Sequence, residues 1–194
     1  QRELSEAPLA EREVVNRAEK QRIGRAAAQF VQDGDTLIIG GGTTTAELAR
    51  NILDRRNLVV ITPTINIAAI LADAPQITVL ITGGVLLGRE MTLAGHFGER
   101  ALQALHADKL FFGVNAICLQ RGLTSAHPSE VGVDLAMLRA ADERILLAEH
   151  TKFGRASTCV IGEVNAVHRI ITGVEIADET VSSLREMGIE VVCA

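Results

Sequence analysis

Short apolar runs alternating with stretches of helical period leave this chain few folds to choose from. TLIIG at 36–40, NLVVIT at 57–62, ITVLITGG at 77–84, DKLFFGV at 108–114 and ERILLAE at 143–149 read as strands. TCVI, HRIIT and the terminal IEVV read as shorter ones. Helices are expected between them: TAELARNIL, NIAAILAD, GERALQAL, a segment from Glu130 to about Ala141, and DETVSSLREMG. Ahead of the first strand, Ile23, Ala26, Ala27, Phe30 and Val31 fall at i, i+3, i+4, i+7 and i+8, one face of a helix. Asp33-Gly34 ends that helix and Asp35 leads into the strand. The pattern predicts an α/β fold with a mostly parallel sheet flanked by helices. VLLGREMTLAGH and NAICLQRGLTSAHPS read as loops.

Composition supports this reading. Tyr and Trp are absent and Phe occurs five times, so a chain that is 47% hydrophobic builds its core from Ala, Val, Leu and Ile. That suits parallel strands covered on both faces. A formal charge of −5 gives no electrostatic footprint for nucleic acid. Cys118, Cys159 and Cys193 lack any zinc or redox spacing and read as small buried residues of a reducing compartment. The five histidines show no ligand spacing, so neither metal nor cofactor is expected. Without a signal peptide or an apolar run of membrane-spanning length, the expectation is a soluble cytoplasmic protein that does not engage a membrane.

Ligands of parallel sheets bind beyond the carboxyl ends of the strands, where loops and helix N-termini converge. The strand exits here are GGGTTT, TPTIN, TGGVL, NAICLQ and EHTKFG, rich in Gly, Thr and Asn, with Lys152 in the last. In the first of them, Gly41 and Gly42 let the backbone turn closely. Thr43, Thr44 and Thr45 then open a helix whose unpaired amides and dipole favour an anion. A dinucleotide fingerprint does not fit, because Thr45 stands where its third glycine belongs, and a P-loop lysine is missing. The residues alone leave two readings open: a phosphate site, or a plain turn in which Thr43 or Thr44 caps the helix.

Taken in order, NRAEKQRIGRAAAQFVQDGDTLIIGGGTTTAELA, VVITPTINIAAILA, ITVLITGGVLLGREMTLAGHFGERAL, ADKLFFGVNAI, RGLTSAHPSEVGVDLAMLRAA and ILLAEHTKFGR carry a family resemblance. The chain resembles the C-terminal effector domain of the DeoR family of bacterial transcriptional repressors, over roughly residues 12 to 175. The resemblance implies a Rossmann-like sheet similar to those of ribose-5-phosphate isomerases, glucosamine-6-phosphate deaminases and CoA transferases. It implies a phosphorylated sugar or sugar-derived effector and a homo-oligomer, dimer or tetramer. Operator DNA would be reached only through a winged helix-turn-helix ahead of this domain. Residues 1–11 would then be a linker remnant and 12–194 the effector-binding domain.

Carried over residue by residue, the pocket comprises the loop Gly42 to Thr45, Asn66 after the second strand, Gly83 and Gly84 after the third, and Gly95 before the next helix. Glu130 opens the helix after the long loop, and Lys152 stands in the His-Thr-Lys-Phe-Gly motif. Gly41, Thr62 and Asn115 join them as strand-exit residues. Four positions depart from the family: Gly40 and Asn115-Ala116 replace Asp and Asp-Gly, and Asp134 replaces Lys. Asp134 would repel Glu130 if both faced a ligand, so it is expected to turn to solvent. Loss of two acids at strand exits weakens acid/base chemistry. The first reading is therefore an effector-sensing and oligomerising domain. The alternatives are a sugar-phosphate isomerase or deaminase with Glu130 as base, and a dimerisation domain with an empty pocket.

Overall fold

The computed structural model describes residues 7–194. Helices α1 (Leu9–Val14) and α2 (Arg17–Ala28) precede β1 (Thr36–Ile39), α3 (Thr43–Arg50), β2 (Leu58–Thr62), α4 (Ile65–Leu71) and β3 (Ile77–Ile81). Then come β4 (Val85–Leu87), β5 (Thr92–Ala94), α5 (His96–Gln103), β6 (Ala107–Phe112), β7 (Ala116–Cys118), β8 (Gly122–Ser125) and α6 (Val131–Arg139). The chain closes with β9 (Ala141–Leu147), β10 (Cys159–Gly162), β11 (Arg169–Thr172), α7 (Asp178–Glu186) and β12 (Glu190–Cys193).

Seven strands form a parallel sheet in the order β12-β11-β9-β6-β1-β2-β3. Strand alternation sorts the core. Leu37 and Ile39 face one side with Ile23, Leu48, Val60 and Phe111, whereas Ile38 faces the other with Leu110, Phe112, Leu146 and Ile170. Both faces are thus apolar, as a sheet covered on each side requires. Of the expected helical face, Ile23 and Ala27 of α2 are buried, as is Val31 beyond its end at Ala28, while Ala26 and Phe30 are half-buried. Here Gly24 lets α2 lie on α3, since a Cβ at that position would sit 2.6 Å from Glu47 Cβ.

The structure departs from the sequence reading in local ways. The N-terminal helix is two helices, broken at Asn16 in the left-handed region (φ 50°). Leu9 to Glu11, read as linker, begin α1, and residues 1–6 of that expected linker lie outside the described residues. Both segments read as loops are hairpins: β4 pairs with β5, and β7 pairs with β8, which carries β10 as a third antiparallel strand. The cysteines are not buried; Cys118 and Cys159 are half-buried and Cys193 is exposed. Among the described residues no helix is long and apolar enough to cross a membrane.

The order of strand addition changes direction at β1. The strands β2 and β3 are added on one side and β6, β9, β11 and β12 on the other. The diverging connections leave a crevice above the carboxyl ends of β1 and β6, the topological switch point of such a sheet.

Candidate functional site at the switch point

A cavity of about 220 Å³ occupies that crevice. Its floor is the exit of β1, Gly40 to Gly42, and the exit of β6, Phe112 to Asn115. Its walls come from the start of α3, from α6, from the exit of β9 and from Arg12 and Lys20 of α1 and α2. The β4–β5 hairpin folds over it, because Ile65 N–H donates to the Met91 carbonyl (2.8 Å) and Leu93 N–H to the Pro63 carbonyl (2.7 Å). Glu90 and Thr92 thereby reach the cavity.

The glycine–threonine turn is open. Gly42 is the N-cap of α3, with φ 135°, and no side chain caps the helix. The Ala46 amide donates to the Gly42 carbonyl at 3.2 Å, and the Thr45 hydroxyl donates to the same oxygen at 3.0 Å. Among the described residues the amides of Gly41 to Thr45 find no protein acceptor, and the hydroxyls of Thr43 and Thr44 find no partner. Both threonines are more than nine-tenths buried and line the cavity. Gly41 is needed for this shape, as a Cβ there would lie 2.8 Å from Thr64 Cγ2. Unpaired amides at a helix start, with two hydroxyls beside them, form a donor cradle for an oxyanion.

Lys20 and Lys152 line the same cavity as this cradle. Lys20 is buried, donates to the Arg12 carbonyl at 2.6 Å and lies 3.6 Å from Glu149 Oε2. Burial lowers its pKa, against the pull of Glu149, and the nearby Lys152 lowers it further. Lys152 is held in a turn of 3-10 helix, His150–Lys152, after β9. That turn is fastened to α2: His150 N–H donates to Glu19 Oε1 at 2.7 Å, and its ring Nδ1–H to Glu19 Oε2 at 2.8 Å. Glu175 completes a cluster whose ligand atoms lie within 4.8 Å of one another. Its carboxylate pairs with Arg22 at 2.5 Å and both Glu19 oxygens are taken by His150, so the cluster is a brace between elements.

The α6 wall is acidic. Glu130 is the residue before the helix and Asp134 lies one turn on, both lining the cavity. Asp134 is half-buried and lines the cavity, and desolvation by the surrounding protein pushes its pKa up to about 7. Burial also raises Glu130 to about 7, with Asp134 adding to the shift. Glu130 Oε1 is buried with no hydrogen-bond partner. Asp134 therefore does not turn to solvent, because the face carrying Glu130 is the inward one. Asn115 is also on the wall, its Oδ1 accepting the Ala126 amide at 2.8 Å.

The expected site residues divide. Gly41, Gly42, Thr43, Thr44, Thr45, Asn115, Glu130 and Lys152 line the cavity together. Thr62, Asn66, Gly83, Gly84 and Gly95 are not in its lining. Thr62 is fully buried: its hydroxyl donates to the Ile39 carbonyl (2.7 Å) and accepts from the Thr64 hydroxyl (2.7 Å) and amide (3.1 Å). It stitches β2 to β1. Gly84, with φ 131°, permits the close approach of the hairpin, since a Cβ would lie 2.6 Å from the Ala94 carbonyl oxygen. Arg12, Lys20, Glu90, His127 and Glu149 were not expected and line the cavity.

Fold and cavity define a ligand-binding α/β domain. The DeoR C terminal sensor domain matches residues 15–174, and the chain belongs to that family. It is 31% identical over 187 residues to a putative aga operon transcriptional repressor of Escherichia coli, covering 96% of this chain and 70% of the relative. It is 35% identical over 154 residues to the HTH-type transcriptional repressor GlcR of Bacillus subtilis, covering 79% of this chain and 59% of that protein. Among solved structures, ribose 5-phosphate isomerase A from Methanocaldococcus jannaschii superposes with a TM-score of 0.53 at 16% identity, covering 71% of this chain and 55% of the enzyme. The eIF2B delta structure from Chaetomium thermophilum gives 0.54 at 22% identity, covering 76% and 52%. These two likenesses concern the fold alone.

Proposed function

We propose that the cavity binds a phosphorylated sugar or sugar-derived effector, with its phosphate on the amides of Gly41 to Thr45. The observation that carries this reading is the run of amides without protein acceptors beside two buried, unpartnered hydroxyls, Thr43 and Thr44. Lys152 and Lys20 line the same cavity and add positive charge to it. The effector acts by linkage: it prefers one arrangement of a homo-oligomer, and a DNA-binding element ahead of this domain responds to that arrangement. A nearly complete switch requires a preference of about 5.5 kcal/mol between the two states.

Calorimetric titration with hexose 6-phosphates and with the same hexoses unphosphorylated tests this reading. Binding that needs the phosphate and weakens about tenfold or more in Thr44→Val and Lys152→Ala supports it. Equal binding with and without phosphate contradicts it. A second reading, an isomerase-like enzyme with Glu130 as base, draws on a carboxyl raised to about 7 inside the cavity. Turnover of a bound sugar phosphate that disappears in Glu130→Gln distinguishes it from pure sensing.

A further inference from the structure

We propose that the effector carries a basic amine in addition to its phosphate, and that Glu130 and Asp134 on the α6 wall hold it. This rests on the phosphate reading and narrows the ligand class.

Among the described residues four carboxylates reach the cavity, and two are already answered. Glu90 contacts Arg12 and lies 3.6 Å from His127, and Glu149 lies 3.6 Å from Lys20. Glu130 and Asp134 have no ion-pair partner among the described residues. They project from one face of α6, four residues apart, and the charges that act on Glu130 are Asp134, His127, Glu90 and Arg12. Glu130 Oε1 has neither solvent nor a hydrogen-bond donor.

Among the described residues neither carboxyl accepts a hydrogen bond, although His127 and Arg12 are near enough to favour the ionised form of Glu130. Val133 and Met137 flank them on α6 and Phe112 faces them from β6, while Gly40 offers no side chain at all. Two adjoining half-buried carboxylates, one with an oxygen cut off from solvent, are eased when a proton or a cation sits between them. Here the space between is the cavity itself, so the partner is a proton in the empty site and a ligand group in the filled one. Sugar hydroxyls donate hydrogen bonds but do not neutralise charge, whereas an ammonium does both. The separate donor cradle at Thr43 and Thr44, whose buried hydroxyls lack partners, fixes where the anion of the same ligand goes. The cavity thus offers free amides and hydroxyls at the start of α3 and two carboxyls without ion-pair partners on α6, which suits a ligand carrying both charges.

Matched pairs provide the test, with D-glucosamine 6-phosphate against D-glucose 6-phosphate and D-galactosamine 6-phosphate against D-galactose 6-phosphate, by calorimetry at pH 7.5. In at least one pair the aminated member is expected to bind about tenfold tighter, and Asp134→Asn or Glu130→Gln to reduce that preference to about threefold or less. Repeating the titration in buffers of different ionisation heat should show net proton release with the aminated member and none with its hydroxyl counterpart. Phosphate-dependent binding with no amine preference overturns this proposal alone. A preference that survives both substitutions also overturns it. Binding that ignores the phosphate removes the phosphate reading, and this proposal with it.

Discussion

Glu19 of α2 grips His150 twice, accepting its main-chain amide at 2.7 Å and its ring Nδ1–H at 2.8 Å. The pair is 131 residues apart in sequence, and it sets the turn that carries Lys152 relative to the cavity. Glu19 is buried, so Glu19→Ala would strand two donors and is expected to cost about 2–3 kcal/mol, read by chemical denaturation. Affinity for a phosphate ligand should fall alongside, because Lys152 loses its fixed position. Unchanged stability would show that the brace is dispensable.

Thr62 and Thr44 are both threonines near strand exits, and they should behave oppositely. Thr62→Val leaves the Thr64 amide without its acceptor in a fully buried position and is expected to cost about 1–3 kcal/mol. Its effect on ligand affinity should be indirect and small. Thr44→Val removes a hydroxyl with no protein partner and should barely change stability while weakening phosphate binding about tenfold. Thermal melts with and without ligand separate the two outcomes.

The acidic wall makes a stability prediction with a definite sign. Burial carries Asp134 from 3.8 to about 7, and Glu130 moves from 4.5 to about 7. Such acids hold protons more tightly folded than unfolded, so the penalty is absent below about pH 4, grows through the interval and is complete above about pH 7. Asp134→Asn is therefore expected to exceed the unsubstituted chain by about 2 kcal/mol at pH 8 and to match it near pH 4. Urea titrations at the two pH values check this. A variant less stable at pH 8 would mean that the carboxylate has a compensating partner.

Lys20 and Glu149 are buried together, 3.6 Å apart at the closest nitrogen–oxygen distance. Lys20→Met leaves Glu149 as an unanswered buried charge and is expected to cost about 3–5 kcal/mol. The double substitution with Glu149→Gln should recover a large part of that loss. Additive losses in a double-mutant cycle would show that the two do not interact.

What the sequence disclosed follows the range of the forces involved. The strands and the cradle were legible because glycine turns, helix starts and apolar runs are local signals. Gly41 to Thr45 could be placed at a strand-to-helix junction from spelling alone. The small hairpins were not, since Val85–Leu87 and Ala116–Cys118 are too short to display a period of two. That Thr62 lies outside the cavity lining could not be read locally, because its hydroxyl bonds the Ile39 carbonyl, 23 residues back. Arg12, Lys20 and Glu90 reach the cavity only through packing of α1, α2 and a folded-over hairpin, which no local pattern announces. Asp134 was assigned outward on repulsion from Glu130, and burial of the whole α6 face decided otherwise.

The central claim is that the amides opening α3 receive the charged end of a small metabolite, and amide chemical shifts report on them directly. In a nitrogen-15 correlation spectrum, titration with a hexose 6-phosphate should move the Gly41 to Thr45 signals saturably and downfield, while the unphosphorylated hexose leaves them in place. Saturable shifts confined to other residues, with these signals unmoved, would contradict it.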